Sequence, residues 1–254
     1  MIANYHTHTF RCCHASGTER EYVETAIANG LKILGFADHA PYTPPDPVRR
    51  MRMLRSQVDD YFKVLGDLKK EYAKDIEIHI GFEAEYFPEE YAEFRKFIMQ
   101  YPTEYLILGQ HFTPNEHGEY TGHPFDDYGF LTQYADSCIE AIETGDYTYV
   151  AHPDIINFKG NDSLYREQML RILDAAKKAD IPVEFNLLGF EDNRQYPCRR
   201  FFDLVRENGN TVIMGCDAHA AEKCGNTAIW KAGLERLAEF GITPIETVKL
   251  RNLK

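Results

Sequence analysis

His6 and His8 flank Thr7 in the short apolar run Ile2-Ala3-Asn4-Tyr5-His6-Thr7-His8, and His14 follows closely. Residues i and i+2 of a strand share a face, so two imidazoles at that spacing can grip one cation. The same residue types recur after later apolar runs. Asp38 and His39 stand in FADHA, Glu83 and Glu85 in GFEAEY, His111 in GQH, His152 and Asp154 in AHPD, and Asp217 and His219 in GCDAH. Of the 10 histidines, His6, His8, His14, His39, His111, His152 and His219 therefore fall at or just past expected strand ends. One such histidine alone is more often a buried residue satisfied by hydrogen bonds. A whole set at successive strand ends reads as a polynuclear metal centre. Mixed imidazole and carboxylate ligands suit Zn, Mn or Fe and leave positions open for water and substrate. The chemistry expected of such a centre is hydrolysis, in which cations acidify water and polarise a phosphoryl oxygen.

The elements that must carry these residues follow from hydrophobic patterning. Strands are expected over 2–7, 31–37, 76–84, 104–109, 147–151, 182–187 and 211–215. Amphipathic stretches at 18–29, 56–73, 88–100, 127–143, 162–179, 197–208 and 226–239 read as the intervening helices. Thr18 and Glu21 have capping-box spacing, and Gly30 and Gly209 stand where helix C-caps are expected. Strict alternation predicts a parallel sheet, and this many units in 254 residues favour a closed or nearly closed barrel in one domain over 1–254. Two segments break the rhythm, 40–55 and 112–126, both rich in proline and both after strand C-terminal ends. Barrel enzymes carry their chemistry on that rim. His79 lies inside the third strand and is expected to be structural. His117 and His123 lie in the second loop and are expected to face solvent, and Glu85 to be solvated or to support a ligand.

Composition narrows the class. A net charge of -12 argues against a nucleic-acid scaffold, which would show a basic face. No apolar run is long enough to span a bilayer, and the N-terminus lacks the charged and apolar regions of a secretion signal. Six cysteines, none in a C-x-x-C pair, do not form a disulfide framework or a closed structural zinc site, so a reduced cytoplasmic protein is expected.

The ordered set H-x-H, DHA, GFEAE, GQH, AHPD and G-x-DAH resembles the PHP (polymerase and histidinol phosphatase) family over nearly the whole chain. GQHF, AHPDIINF and FNLLGF before GCDAH are similar to its stand-alone histidinol-phosphatase branch. The resemblance implies a distorted (β/α)7 barrel, TIM-barrel-like, with three divalent ions (Zn, Mn or Fe) at the C-terminal ends of the strands. Carried over by motif, it implies one ion on His6, His8, Glu83 and Asp217. A second would share Glu83 and add His111 and His152, and a third would use His14, His39 and His219. It also implies a phosphomonoesterase, most directly of L-histidinol phosphate in histidine biosynthesis, acting on a small phosphorylated metabolite.

Asp38 and Asp154 adjoin ligand positions, so either could protonate the departing alkoxide, with Asp38 preferred; the competing role is orientation of a ligand histidine. Phosphate favours guanidinium, and the cationic candidates are Arg49, Arg50, Arg52 and Arg55, with Lys159 and Arg194 preferred because both follow strand ends. Glu116, Tyr42 and Phe190 are loop residues that could receive an imidazole and an amine. The alternatives are a PHP phosphoesterase for another metabolite or a nucleotide, and a non-catalytic metal-stabilised PHP module. Amidohydrolase chemistry is disfavoured by the Asp/His order.

Overall fold

A computed structural model describes residues 1–42 and 51–253; Arg49 and Arg50 lie outside the described residues. In chain order the strands are β1 (Ala3–Asn4), β2 (Ile33–His39), β3 (Glu77–Ala84), β4 (Tyr105–Leu108), β5 (Phe112–Thr113), β6 (Glu119–Tyr120), β7 (Tyr147–Val150), β8 (Val183–Asn186) and β9 (Val212–Gly215). The helices are α1 (Glu19–Ala28), α2 (Val58–Glu71), α3 (Tyr91–Ile98), α4 (Tyr128–Thr144), α5 (Asp162–Lys178), α6 (Leu187–Glu191), α7 (Arg199–Asn208) and α8 (Thr227–Glu239). One seven-stranded sheet runs β1-β2-β3-β4-β7-β8-β9, every pair parallel. Its two edges meet at a single Thr7–Ala218 bridge, where the His8 amide donates to Ala218 at 3.0 Å. The result is a nearly closed barrel.

Period-2 alternation sorts each strand between two apolar layers. Tyr5, Ala37, Tyr105, Ile107, Tyr149 and Ile213 form a small cluster inside the barrel. Their neighbours Phe36, Phe82, Leu106, Leu108 and Met214 pack outward in the larger cluster shared with the helices. Ile245, Val248 and Leu250 pack against the inner cluster, and Ile245 donates to Val212 at 2.8 Å. Tyrosines and the C-terminal segment thus fill the barrel and leave its other rim for polar residues.

The helix ends follow from their caps. Thr18 and Glu21 form the expected capping box, and Gly30 (φ 86°) and Gly209 (φ 72°) take the left-handed backbone that ends α1 and α7. Two elements lie outside the expected set, and one expected strand needs correction. The 112–126 segment contains the β5–β6 hairpin, and the chain after β8 turns at once into α6, capped by Asn186. The run 2–7 is not one regular strand. Asn4 Nδ2 bonds Thr7 Oγ1 at 2.7 Å, so side chains three apart share a side, and Asn4 Oδ1 accepts from the His6 and Cys216 amides. This one-residue slip reverses the side-chain phase. Without it Tyr5 and His6 could not both point into the barrel.

Candidate metal centre

Every strand of the barrel ends in, or leads directly to, a polar residue aimed at the same point. His6 Nε2 lies 3.5 Å from Glu83 Oε2 and 3.5 Å from Asp217 Oδ1; His8 Nε2 lies 3.5 Å and 3.1 Å from the same two oxygens. A tetrahedral cation with bonds of about 2.0–2.2 Å spaces its ligand atoms about 3.3–3.6 Å apart. His6 Nε2, His8 Nε2 and Glu83 Oε2 are fully buried and have no hydrogen-bond partner. Buried polar atoms are rarely orphaned, and a cation held between them and Asp217 Oδ1 would satisfy all three. The donor set fits a metal.

Glu83 faces two ways. Its Oε1 is 2.8 Å from His152 Nε2 and 3.6 Å from His111 Nε2, while Oε2 also meets His39 Nδ1 at 3.0 Å. Imidazoles therefore surround one carboxylate on both oxygens, the disposition of a bridging ligand. Further out, His14 Nε2 and His219 Nε2 are 3.0 Å apart, and the His14 and His39 rings are 5.3 Å apart. His8, His39 and His219 could share an ion, and Cys12 adds a sulfur beside His14 and His219.

Electrostatics follow the same pattern. Burial alone would neutralise both carboxylates, but the facing histidines hold Glu83 and Asp217 well below the usual range. Burial also pulls His8 down, yet the facing carboxylates of Asp217 and Asp38 hold it up at about 9. His219 falls to about 3 through burial and the charge on His8. The carboxylates that raise His6 and His8 are the same ones that would balance a cation held there.

The PHP domain model matches residues 4–187. The chain belongs to the PHP family. It is 27% identical over 241 residues to the Deinococcus radiodurans "Probable histidinol-phosphatase", covering 88% of each chain. It is 24% identical to the Lactococcus lactis histidinol-phosphatase, covering 97% of each. Its fold is similar to the crystal structure of the L. lactis histidinol phosphate phosphatase complexed with Zn, L-histidinol and phosphate (TM-score 0.74, 19% identity, 100% of this chain and 98% of that one).

Around the PHP centre the sequence reading missed a second layer. Glu184, fully buried in β8, accepts from His6 Nδ1 at 2.9 Å and from the His152 amide at 3.1 Å. Asn186 Nδ2 bonds both Glu184 (2.9 Å) and Asp217 (3.1 Å). The available signal was a carboxylate in the middle of the apolar run PVEFN. Two glycines make room: a Cβ at Gly109 would sit 1.9 Å from Glu83 Oε1, and one at Gly215 1.8 Å from Glu184 Oε1. His152 (φ 30°) and Asp217 (φ 48°) hold left-handed backbone that costs about 1–3 kcal/mol at non-glycine residues and persists where surroundings enforce it.

The PHP centre floors a cavity of about 250 Å³, walled by Met51, Tyr120, Ile155, Leu188 and Tyr196, with Arg194 at its side. Arg194 donates to Tyr196 and Asp192. The other candidate residues lie away from this cavity. Asp38 is fully buried and outside the cavity lining; it accepts from Thr9 and the His39 amide and faces His8 Nδ1 at 3.6 Å. It shares strand phase with outward-facing Phe36, and its carboxylate meets His8 rather than the cavity. Asp38→Ala should therefore lower kcat by a similar factor, about 10–100-fold, for an alkyl phosphate and for p-nitrophenyl phosphate. A much larger loss on the alkyl ester would restore the acid role. Asp154 is buried, accepts from the Cys198 amide at 2.7 Å, and with exposed Lys159 lines a different cavity. Arg52 and Arg55 are committed elsewhere, Arg52 to Glu85 and Glu116, Arg55 to Glu93. Glu116 is thereby occupied, Tyr42 is buried in the core, and Phe190 packs on Phe185. His79 pairs with Glu104 at 2.8 Å, and His117 and His123 are exposed.

Proposed function

We propose that this PHP protein is a metal-dependent phosphomonoesterase that hydrolyses L-histidinol phosphate to L-histidinol and phosphate in histidine biosynthesis. The observation that carries it is the set of orphaned ligand atoms at tetrahedral spacing around Glu83, on the floor of a cavity sized for a compact monoester. End-to-end similarity to histidinol-phosphatases supports the substrate. His6, His8, Glu83 and Asp217 would hold one ion, Glu83, His111 and His152 a second, and His14, His39 and His219 a third, of Zn, Mn or Fe. Such ions supply Lewis acidity toward a phosphoryl oxygen and acidify water. Arg194 would bind the phosphate, and Tyr120, Tyr196 and Met51, which line the same cavity, would cover the organic part and exclude water. We read 1–254 as a single domain, since β9 and α8 lie beyond the family match and the β9 end leads to Asp217 and His219. All six cysteines are free, which supports a cytoplasmic setting, and among the described residues no helix is long and apolar enough to cross a membrane.

The test is the metal-loaded protein assayed on L-histidinol phosphate, a mononucleotide, a phosphodiester and an amide. We expect kcat/KM for L-histidinol phosphate to exceed that for the nucleotide by about 10²-fold or more. Preference for the diester or the amide, or no hydrolysis, would overturn the reading.

A further inference from the structure

Arg52 belongs to the segment that supplies the cavity wall at Met51, yet its own side chain turns inward and is only 6% exposed. Its guanidinium grips both oxygens of Glu85, at 3.0 and 3.1 Å, and its Nε donates to Glu116 at 2.9 Å. Glu85 lies just past β3 and Glu116 in the β5–β6 hairpin, so one side chain ties three segments of the rim together. Both carboxylates are nearly inaccessible as well. A buried ion pair of this kind is weak evidence for stability, because desolvation offsets the attraction. The position of the cluster is more informative than its strength.

His111 connects the cluster to the metal centre. Its Nε2 faces Glu83 Oε1, and its Nδ1 has no hydrogen-bond partner except that Glu85 Oε1 stands 3.5 Å away. An imidazole that presents Nε2 to a cation must keep its proton on Nδ1, and the acceptor facing Nδ1 fixes that tautomer and the ring plane. A single acceptor oxygen can do this only if its carboxylate cannot rotate. The parallel fork of Arg52 removes that freedom, which the point charge of a lysine would not.

We propose that Arg52 is a positioning residue: by clamping Glu85 against His111 Nδ1 it makes His111 competent to hold the cation shared with Glu83 and His152. Because Met51 is its neighbour, the same clamp sets the cavity wall in register with that ligand. The proposal rests on the metal-centre reading, and it is independent of which phosphate ester is hydrolysed.

The experiment measures bound Zn or Mn per chain, and the affinity of each ion by chelator competition, in the full-length protein and in Arg52→Lys, Glu85→Gln and Glu116→Gln. Imidazole ¹⁵N shifts report the His111 tautomer. In Arg52→Lys and Glu85→Gln, one ion should weaken about 10–100-fold with the His111 proton no longer fixed on Nδ1. The ion held by His6, His8 and Asp217 should stay. Glu116→Gln, which alters the cluster without releasing Glu85, should retain every ion. Wild-type affinities in both Arg52→Lys and Glu85→Gln, or an equal weakening of all ions, would overturn the proposal and leave Arg52 a structural residue. If one variant fails to fold, the other decides. A wild-type protein that binds no ion would instead refute the metal-centre reading itself.

Discussion

Glu83→Gln should abolish phosphatase activity and leave a folded protein whose response to metal is much reduced. We expect kcat/KM to fall about 10³-fold or more, a loss of about 4 kcal/mol of transition-state stabilisation. The reason is geometric: one oxygen of Glu83 faces His6, His8 and His39, and the other faces His111 and His152. An amide keeps one oxygen at most, and its nitrogen cannot ligate. Two cation positions therefore lose a ligand and a compensating charge together, and excess metal should not restore kcat. The fold should survive because Glu83 joins the barrel through its backbone, in register with His39 and Ile107. Ligands that bind only the native state stabilise it by mass action, about 2.7 kcal/mol at a hundredfold excess over Kd. Wild-type Tm should accordingly rise with added Zn or Mn and fall with chelator, while the Glu83→Gln curve keeps only the part of that response owed to the ion on His14, His39 and His219. Calorimetry and far-UV circular dichroism, with metal analysis of the same samples, check this. A variant that keeps its ions and its activity would remove Glu83 from the centre.

The contrast between what was legible in the sequence and what was not has a physical cause. Histidines and carboxylates at strand ends were legible because parallel β/α alternation brings those ends to one rim, so their types and order carry the information. The helices were legible because caps such as Thr18 with Glu21 are local. The position of Asp38 away from the cavity was readable from its phase: it alternates with Ala37, which faces inward, and matches Phe36, which faces the helices. Conversely, the phase of His6 and His8 was right for a reason no periodicity reveals, the Asn4–Thr7 hydrogen bond that slips the strand by one residue. Lys159 and Asp154 followed a strand end in sequence but turned into a neighbouring cavity. Glu184 was missed, and Arg52 and Glu116 were assigned to substrate rather than to each other, because their partners are brought to them only by the fold: His6 is 178 residues from Glu184, and Glu116 is 64 from Arg52.

Glu184→Gln tests whether this second layer matters as much as the ligands it supports. Glu184 receives four donors: His6 Nδ1 and Tyr149 OH at Oε1, and the His152 amide and Asn186 Nδ2 at Oε2. A carboxylate accepts all four, whereas a glutamine in either orientation turns an N–H₂ group toward two of them. With the amide nitrogen against His6, the imidazole must move its proton to Nε2 and cannot ligate through that atom. With the nitrogen against β7's end, the His152 amide and Asn186 lose their acceptor. Each buried donor left unpaired costs about 1–3 kcal/mol, and about 2–4 °C in Tm accompanies each kcal/mol in a chain of this size. A fall of about 5–10 °C without metal is expected, with the metal needed for half-maximal activity rising about 10–100-fold. Saturating metal should restore most of kcat, because every ligand atom is still present, and this separates Glu184 from Glu83. Gly215→Ala should reproduce the effect without touching any polar group, since its Cβ would meet Glu184 Oε1 at 1.8 Å and push the carboxylate off its donors. If Glu184→Gln keeps wild-type metal affinity while Gly215→Ala loses it, the damage comes from packing at β9, and Glu184 has no part in holding His6.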